Sequence, residues 1–194
     1  MNKSIVIVGG GALGSHLIQF IRNFPAQVTL IDFDSVEAHN LLGQFHGAQG
    51  KGRKKVLALQ QMMLGLWGTK ITIIPHKLTV DNAVTLLKDA GLVVDCVDNS
   101  ETRILIQQTV RNLNIPCLHG ALSADGSLGR VVFDEWFTAD NMGALSGQAT
   151  CEDGANLPFH ALMGAHLALA VQRFLQTGAK ESFQVTSLSL VRIA

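Results

Sequence analysis

The chain has 194 residues, of which 47% are hydrophobic and 15% charged, and its formal net charge is zero. That composition describes one globular domain over residues 1–194 with ample core, and it excludes a disordered chain; a zero net charge gives no electrostatic footprint for nucleic acid. No run reaches the ~18 apolar residues that a membrane helix needs, and the N-terminal apolar run is too short for a signal peptide.

The three cysteines, Cys96, Cys117 and Cys151, lack CxxC spacing, which argues against a disulfide framework and a structural zinc site. The expected protein is therefore cytoplasmic, with no membrane and no nucleic-acid partner.

In chain order, Ile5–Val8 is four apolar, mostly β-branched residues and predicts a buried strand. It runs into Gly9-Gly10-Gly11-Ala12-Leu13-Gly14 and then into the helical pattern Leu17, Ile18, Phe20, Ile21. Strand, G-x-G-x-x-G and helix together form the context of a dinucleotide-binding fingerprint. Gly9 permits the turn, Gly11 lets backbone N–H groups approach a phosphate, and Gly14 lets helix and strand close on each other. A second strand, Gln27–Ile31, ends at Asp32, 18 residues past Gly14, where an acid suits a ribose hydroxyl. A nucleotide is expected here, and these residues alone leave its identity open.

Residues 33–45 are too polar for a strand and carry no clear helical period. The stretch Gly47–Lys55 gathers Lys51, Arg53, Lys54 and Lys55, cations able to neutralise a polyphosphate. A helix is expected at about Lys54–Leu66, a strand at Lys70–Pro75, and a helix over Val80–Asp89 capped by Thr79. Gly91–Asp95 predicts a fourth strand, at whose carboxyl end Asp98 stands where a metal-holding carboxylate belongs. The alternative for Asp98, or for Ser100, is to cap the helix Glu101–Leu113.

Ile115–His119 predicts strand five, and Gly129–Phe133 a returning antiparallel strand after the turn at 123–126. Residues 134–156 are long, polar and aperiodic, and hold Trp136 and Cys151. A helix from Pro158 to about Thr177 is expected to turn Leu162, Ala165, Leu169 and Phe174 inward, with His160 and His166 packed rather than ligating. Phe183–Ile193 predicts one or two further strands. The fold class is α/β: a Rossmann-like, mostly parallel sheet flanked by helices, with antiparallel strands toward the C-terminus.

The motifs GGGALG (9–14), DFDSVEAHNLLGQ (32–44), GRKK (52–55) and DCVDNSETR (95–103) follow one another in this chain. This order resembles the ThiF/MoeB/HesA family, adenylating enzymes related to ubiquitin-activating enzymes, whose usual pattern is GxGGLG, DFDxVxxxNLxRQ, GxxK and DCxDNxxxR. TCEDGANLP (150–158) is similar to the family's cysteine loop. The arginine of NLxRQ is Gly43 here, with Arg53 and Lys54 as the candidate replacements.

The resemblance implies an ATP-dependent adenylyltransferase acting on the C-terminal carboxylate of a small ubiquitin-like or sulfur-carrier protein, in a homodimer or heterodimer. It implies that Gly9, Gly11, Ala12, Leu13 and Gly14 cradle the nucleotide, that Asp32 meets its ribose, that Asn40 and Lys55 meet its phosphates, and that Asp98 holds Mg2+. Asp34, Gln44, Arg53 and Asn99 are implied nucleotide-binding residues as well. The implied catalytic residues are Lys55, Asp98 and Cys151, the last as an acyl-accepting thiol. Two other readings stand beside it: a non-catalytic ATP-binding subunit that docks a partner, and an NAD-dependent oxidoreductase. The basic loop and Asp98 suit a triphosphate better than a nicotinamide.

Overall fold

The structure, a computed structural model, describes residues 4–123, 125–138 and 154–193. The first strand, β1 (Ser4–Val8), is central and buried on both faces. Ile5 and Ile7 enter one core and Val6 and Val8 another, because alternate side chains of a strand leave on opposite faces. On one side β1 pairs with β2 (Gln27–Ile31), which pairs with β3 (Thr72–Ile74); on the other it pairs with β4 (Leu92–Asp95), which pairs with β5 (Cys117–Leu122). All four of these pairings are parallel. The hairpin strand β6 (Leu128–Phe133) and then β7 (Phe183–Thr186) and β8 (Leu190–Arg192) extend the sheet antiparallel, in the order β3-β2-β1-β4-β5-β6-β7-β8.

Six α-helices are assigned among the described residues: α1 (Ala12–Phe20), α2 (Asn40–Gly43), α3 (Lys55–Trp67), α4 (Val80–Leu87), α5 (Ser100–Leu113) and α6 (Leu157–Thr177). Leu17 of α1, Leu59 of α3 and Leu167 of α6 share the core with Ile5 and Ile7, while Leu87 of α4 and Ile106 of α5 share the other with Val6 and Val8. The α/β class, the mostly parallel sheet and the late antiparallel strands are as the sequence predicts. The chain moves outward from β1 to β3 and returns on the other side of β1 as β4, so the crevice between β1 and β4 opens at the strands' carboxyl ends.

Several boundaries differ from expectation. The polar stretch after Asp32 contains α2, four residues long and so too short to show a period. Strand five starts at Cys117: the Pro116 carbonyl accepts from Val93 N–H, but proline has no N–H to give to the ladder. On α6 the inward face is Phe159, Met163, Leu167, Val171 and Phe174, whereas Leu162 and Leu169 are exposed. The helix is apolar on most of its circumference, so composition could not single out the face. Gly164 decides it: a Cβ there would meet His16 Cβ at 2.5 Å, so this is the side on which α6 can close on α1. His160 is fully buried and bonds the Gly43 carbonyl through Nδ1 (3.1 Å), and His166 packs edge-on to Phe183, so both histidines are packed as predicted.

Candidate functional site

The glycine loop lies between β1 and α1. Gly9 has φ +98° and its N–H donates to Ile31 O at 2.9 Å. A Cβ on Gly9 would sit 2.8 Å from the Cys96 carbonyl oxygen, so the glycine loop rests directly on the chain leaving β4. Gly14 is pressed as closely against the Gly9 carbonyl. α1 therefore starts at Ala12 with Gly11 as its N-cap, and the N–H groups of its first turn have no carbonyl one turn back to serve. That cradle of donors at a helix N-terminus favours an anion.

Asp32 closes the loop from the β2 side. Its Oδ2 accepts from Gly10 N–H (2.6 Å) and its Oδ1 from Asp34 N–H (2.7 Å). Burial raises its pKa, and the Gly10 amide and the Lys55 ammonium pull it back down. A carboxylate has about four lone-pair sites, so each oxygen keeps an acceptor position for a sugar hydroxyl. Opposite Asp32, His46 Nε2 meets the Gly10 carbonyl at 3.0 Å, so the Gly10 peptide is held at both ends. Burial drives the His46 pKa down to about 4, against the Gly10 hydrogen bond and with help from the Lys55 cation; the ring is neutral and Nε2 is the donor.

The basic stretch folds back on residues 34–36. Val36 N–H donates to Arg53 O and Gly52 N–H to Val36 O, both at 2.8 Å, and Lys55 N–H reaches Asp34 O at 2.8 Å. This small ladder buries Lys55 at the start of α3 with its Nζ 3.2 Å from Asp34 Oδ2. Gln44 is buried as well, with its Nε2 beside Gly11. Asn40 is buried and its Oδ1 accepts from Glu37 N–H at 2.9 Å.

On the β4 side, Asp98 is exposed in the loop 96–99 and makes no hydrogen bond or ion pair among the described residues. The cap of α5 is Asn99, whose Oδ1 accepts from Thr102 N–H at 2.9 Å, so neither Asp98 nor Ser100 takes the alternative role of cap. Asp98 is thus left unused by the helix. Behind the loop, Asp95 is fully buried. It accepts from Val97 N–H (3.0 Å) and bonds His119 Nδ1 (2.8 Å), and Arg103 Nη1 lies 3.2 Å away.

The family profile is decisive here: a sequence model of the ThiF family matches residues 1–187. The chain belongs to the ThiF family. Among curated relatives, it is 32% identical over 122 residues to a sulfur carrier protein adenylyltransferase of Thermus thermophilus, covering 61% of this chain and 45% of that one. It is 26% identical over 200 residues to the adenylyltransferase and sulfurtransferase UBA4 of Kluyveromyces lactis, covering 94% and 44%. This ThiF-family chain therefore spans less than half the length of these curated relatives. Two solved structures share its fold: E. coli MccB, solved with MccA-N7isoASN, at TM-score 0.75 and 18% identity over 99% of this chain and 64% of that one, and PaaA at 0.73 and 15%, over 98% and 62%.

Of the residues predicted for a ThiF-type site, the fold gathers Gly9, Gly11, Ala12, Leu13, Gly14, Asp32, Asp34, Gln44 and Lys55 around the glycine loop, with the 96–99 loop against Gly9. Arg53 is not brought in: its Nη1 bonds Gln61 Oε1 at 2.6 Å on the exposed side of α3. Lys54 instead donates to the Phe33 carbonyl at 2.6 Å. Both cations, the candidate replacements for the arginine that is Gly43 here, are thus engaged with protein groups in this structure. Cys151 lies outside the described residues. Cys96 and Cys117 are buried, and burial pushes both thiols well above their ordinary pKa.

The sequence reading missed His46 and His119. A usable signal existed for His119: Asp95 ends apolar β4 and His119 is the polar residue inside otherwise apolar β5, where the two stand side by side in register.

Proposed function

We propose that this ThiF-family chain binds ATP and transfers its adenylyl group to the C-terminal carboxylate of a small ubiquitin-like or sulfur-carrier protein. The observation that carries the reading is the buried Lys55 ammonium beside the glycine cradle, with Asp98 unused on the opposite wall. Adenylyl transfer needs neutralised charge and in-line placement more than a base. The first-turn amides of α1 orient phosphate oxygens, Lys55 offsets negative charge on them, and Asp32 accepts from the ribose. A carboxylate oxygen of the carrier then attacks the α-phosphorus, the bond to the β-phosphate oxygen breaks, and pyrophosphate leaves.

The names of the curated relatives, adenylyltransferases of sulfur-carrier type, support this partner class. Among the described residues no cluster of three or more metal-binding side chains occurs. A single exposed carboxylate fits Mg2+, which takes one or two carboxylates and completes its shell with phosphate oxygens and water. Asp98 would hold it, and when bound it would supply further charge neutralisation on the polyphosphate. After adenylation, the Cys151 thiolate accepts the acyl group as a thioester and AMP departs. Residues 1–194 make one adenylation domain in this reading, acting in a homodimer or heterodimer; low cysteine use favours the cytoplasm, and no described helix is long and apolar enough to cross a membrane.

The first experiment is calorimetric titration with ATP and Mg2+, and separately with NADH. Magnesium-dependent ATP binding without NADH binding is expected, followed by carrier-dependent exchange of labelled pyrophosphate into ATP. NADH binding alone would overturn the assignment. The second reading, a non-catalytic nucleotide-binding subunit, is favoured by Gly43 and by the outward commitments of Arg53 and Lys54. It predicts ATP binding with no exchange for any carrier.

A further inference from the structure

Behind the candidate site lies a buried charge cluster that no step above uses. His119 on β5 is fully buried with a carboxylate at each ring nitrogen: Asp95 Oδ2 at 2.8 Å from Nδ1 and Asp134 Oδ1 at 3.1 Å from Nε2. Neither oxygen can donate as a carboxylate, so both nitrogens carry protons and the ring is an imidazolium. Burial opposes that charge, but the hydrogen bonds that the ring donates to Asp134 and Asp95 hold the His119 pKa above its ordinary value. The other charges facing the pair are Arg103 on Asp95 and Arg111 on Asp134.

Asp95 also holds a piece of backbone, and Asp134 holds two side chains of α5. Asp95 Oδ1 accepts from Val97 N–H at 3.0 Å. Arg103, on the same carboxylate, donates to the Val97 and Gly120 carbonyls. The residue just before Asp98 is thus gripped at its N–H by Asp95 and at its C=O by Arg103, which is itself paired with Asp95. On the other side, Asp134 takes Gln107 Nε2 (2.9 Å) and Arg111 Nε (2.7 Å) from α5, and both residues also reach the Phe137 carbonyl. The Phe137 ring then stacks on His119, with centroids 4.0 Å apart and planes 12° apart, and lies 5.6 Å from the Arg103 guanidinium.

We propose that His119 is a positioning residue, joining the loop 96–99 that carries Asp98 to the segment 134–137 so that the seating of one sets the position of the other. The consequence for Asp98 as a metal carboxylate rests on the function proposed above; the coupling itself does not. A histidine serving the core alone would need one partner, whereas His119 takes two: Asp95, which holds backbone of the 96–99 loop, and Asp134, which begins the segment 134–137 and ties it to α5.

The test uses Asp134→Asn, which keeps shape and alters only the far side of the cluster, and His119→Gln, which keeps one donor for two carboxylates. Two quantities are read on the full chain: amide hydrogen exchange of the peptide containing Val97, and the Mg2+ concentration for half-maximal ATP binding. In Asp134→Asn, Val97 exchange is expected to quicken roughly tenfold while β1 keeps its protection. The Mg2+ requirement is expected to rise roughly tenfold, as for loss of a support behind a metal ligand, with ATP binding in the absence of metal unchanged. A purely structural role would weaken both kinds of binding together. Unchanged Val97 exchange overturns the coupling, and faster exchange with an unchanged Mg2+ requirement overturns the positioning of Asp98. If the unsubstituted chain binds no ATP, the nucleotide reading fails and Val97 exchange still decides the coupling. If His119→Gln does not fold, Asp134→Asn decides alone.

Discussion

Gly14→Ala adds one methyl group at the tightest point of the glycine loop. The new Cβ would stand 3.0 Å from the Gly9 carbonyl carbon, closer still to its oxygen, and 3.4 Å from Cys96 Cβ. Carbon atoms prefer about 3.5–4.0 Å, so α1 and the loop must separate. Gly9 cannot yield easily, since its N–H is held by Ile31 O and its Cα already abuts the Cys96 carbonyl. Overpacking against backbone costs about 1–3 kcal/mol, and for a chain of this length each kcal/mol lowers Tm by about 2–4 °C. A fall of roughly 2–12 °C is expected, together with loss of ATP binding, because the donors that move are those of the cradle. Gly65→Ala in the last turn of α3 is the control: a Cβ there meets nothing within 4 Å, and alanine in place of helical glycine is expected to add up to about 1 kcal/mol. Thermal unfolding followed by circular dichroism and calorimetric ATP titration read both variants. If Gly14→Ala unfolds with the parent and binds ATP equally well, the packing account of the loop is wrong.

Lys55→Met removes a charge-assisted contact to phosphate worth about 1.5–3 kcal/mol, so Mg·ATP binding should weaken roughly 10- to 150-fold. Its partner Asp34 is half exposed, so stability should fall by about 1 kcal/mol or less; calorimetry and melting curves separate the two effects. Asn99→Ala should cost about 0.5–2 kcal/mol through the lost cap and leave the metal carboxylate in place. Asp98→Ala should change stability by less than about 0.5 kcal/mol yet abolish pyrophosphate exchange, and exchange at the parent rate would remove Asp98 from the site. Cys151→Ser should keep adenylation and lose any reducible carrier adduct on denaturing gels. His46, with a folded pKa of about 4 below an unfolded value near 6.5, binds its proton more readily unfolded. Stability should therefore fall as pH drops from 6.5 to 4, by about 3 kcal/mol at most. Urea melts at several pH values should show a shallower acid limb in His46→Gln.

Much of this protein is written in local pattern. An apolar run ending in G-x-G-x-x-G can bury its strand and expose its amides in only one arrangement, so β1, the cradle and α1 were legible. The basic stretch before α3, the acid ending β2 and the carboxylate after β4 were legible for the same reason: strand ends and helix starts are marked by residue types at short range. What the sequence could not express is which side chains meet across the chain. Arg53 and Lys55 are two residues apart and chemically alike. Only the 34–36 ladder, pairing backbone some 20 residues away, buries one beside the cradle and turns the other toward Gln61. Gly164 set the buried face of α6 through a contact with His16 on another helix. Asp95, His119 and Asp134 lie on three separate strands or turns and become one charge cluster only when β4, β5 and the end of β6 are laid side by side. Local periodicity and turn chemistry determined the elements and the glycine loop; long-range backbone pairing and close helix contact decided which of the charged residues stand beside it.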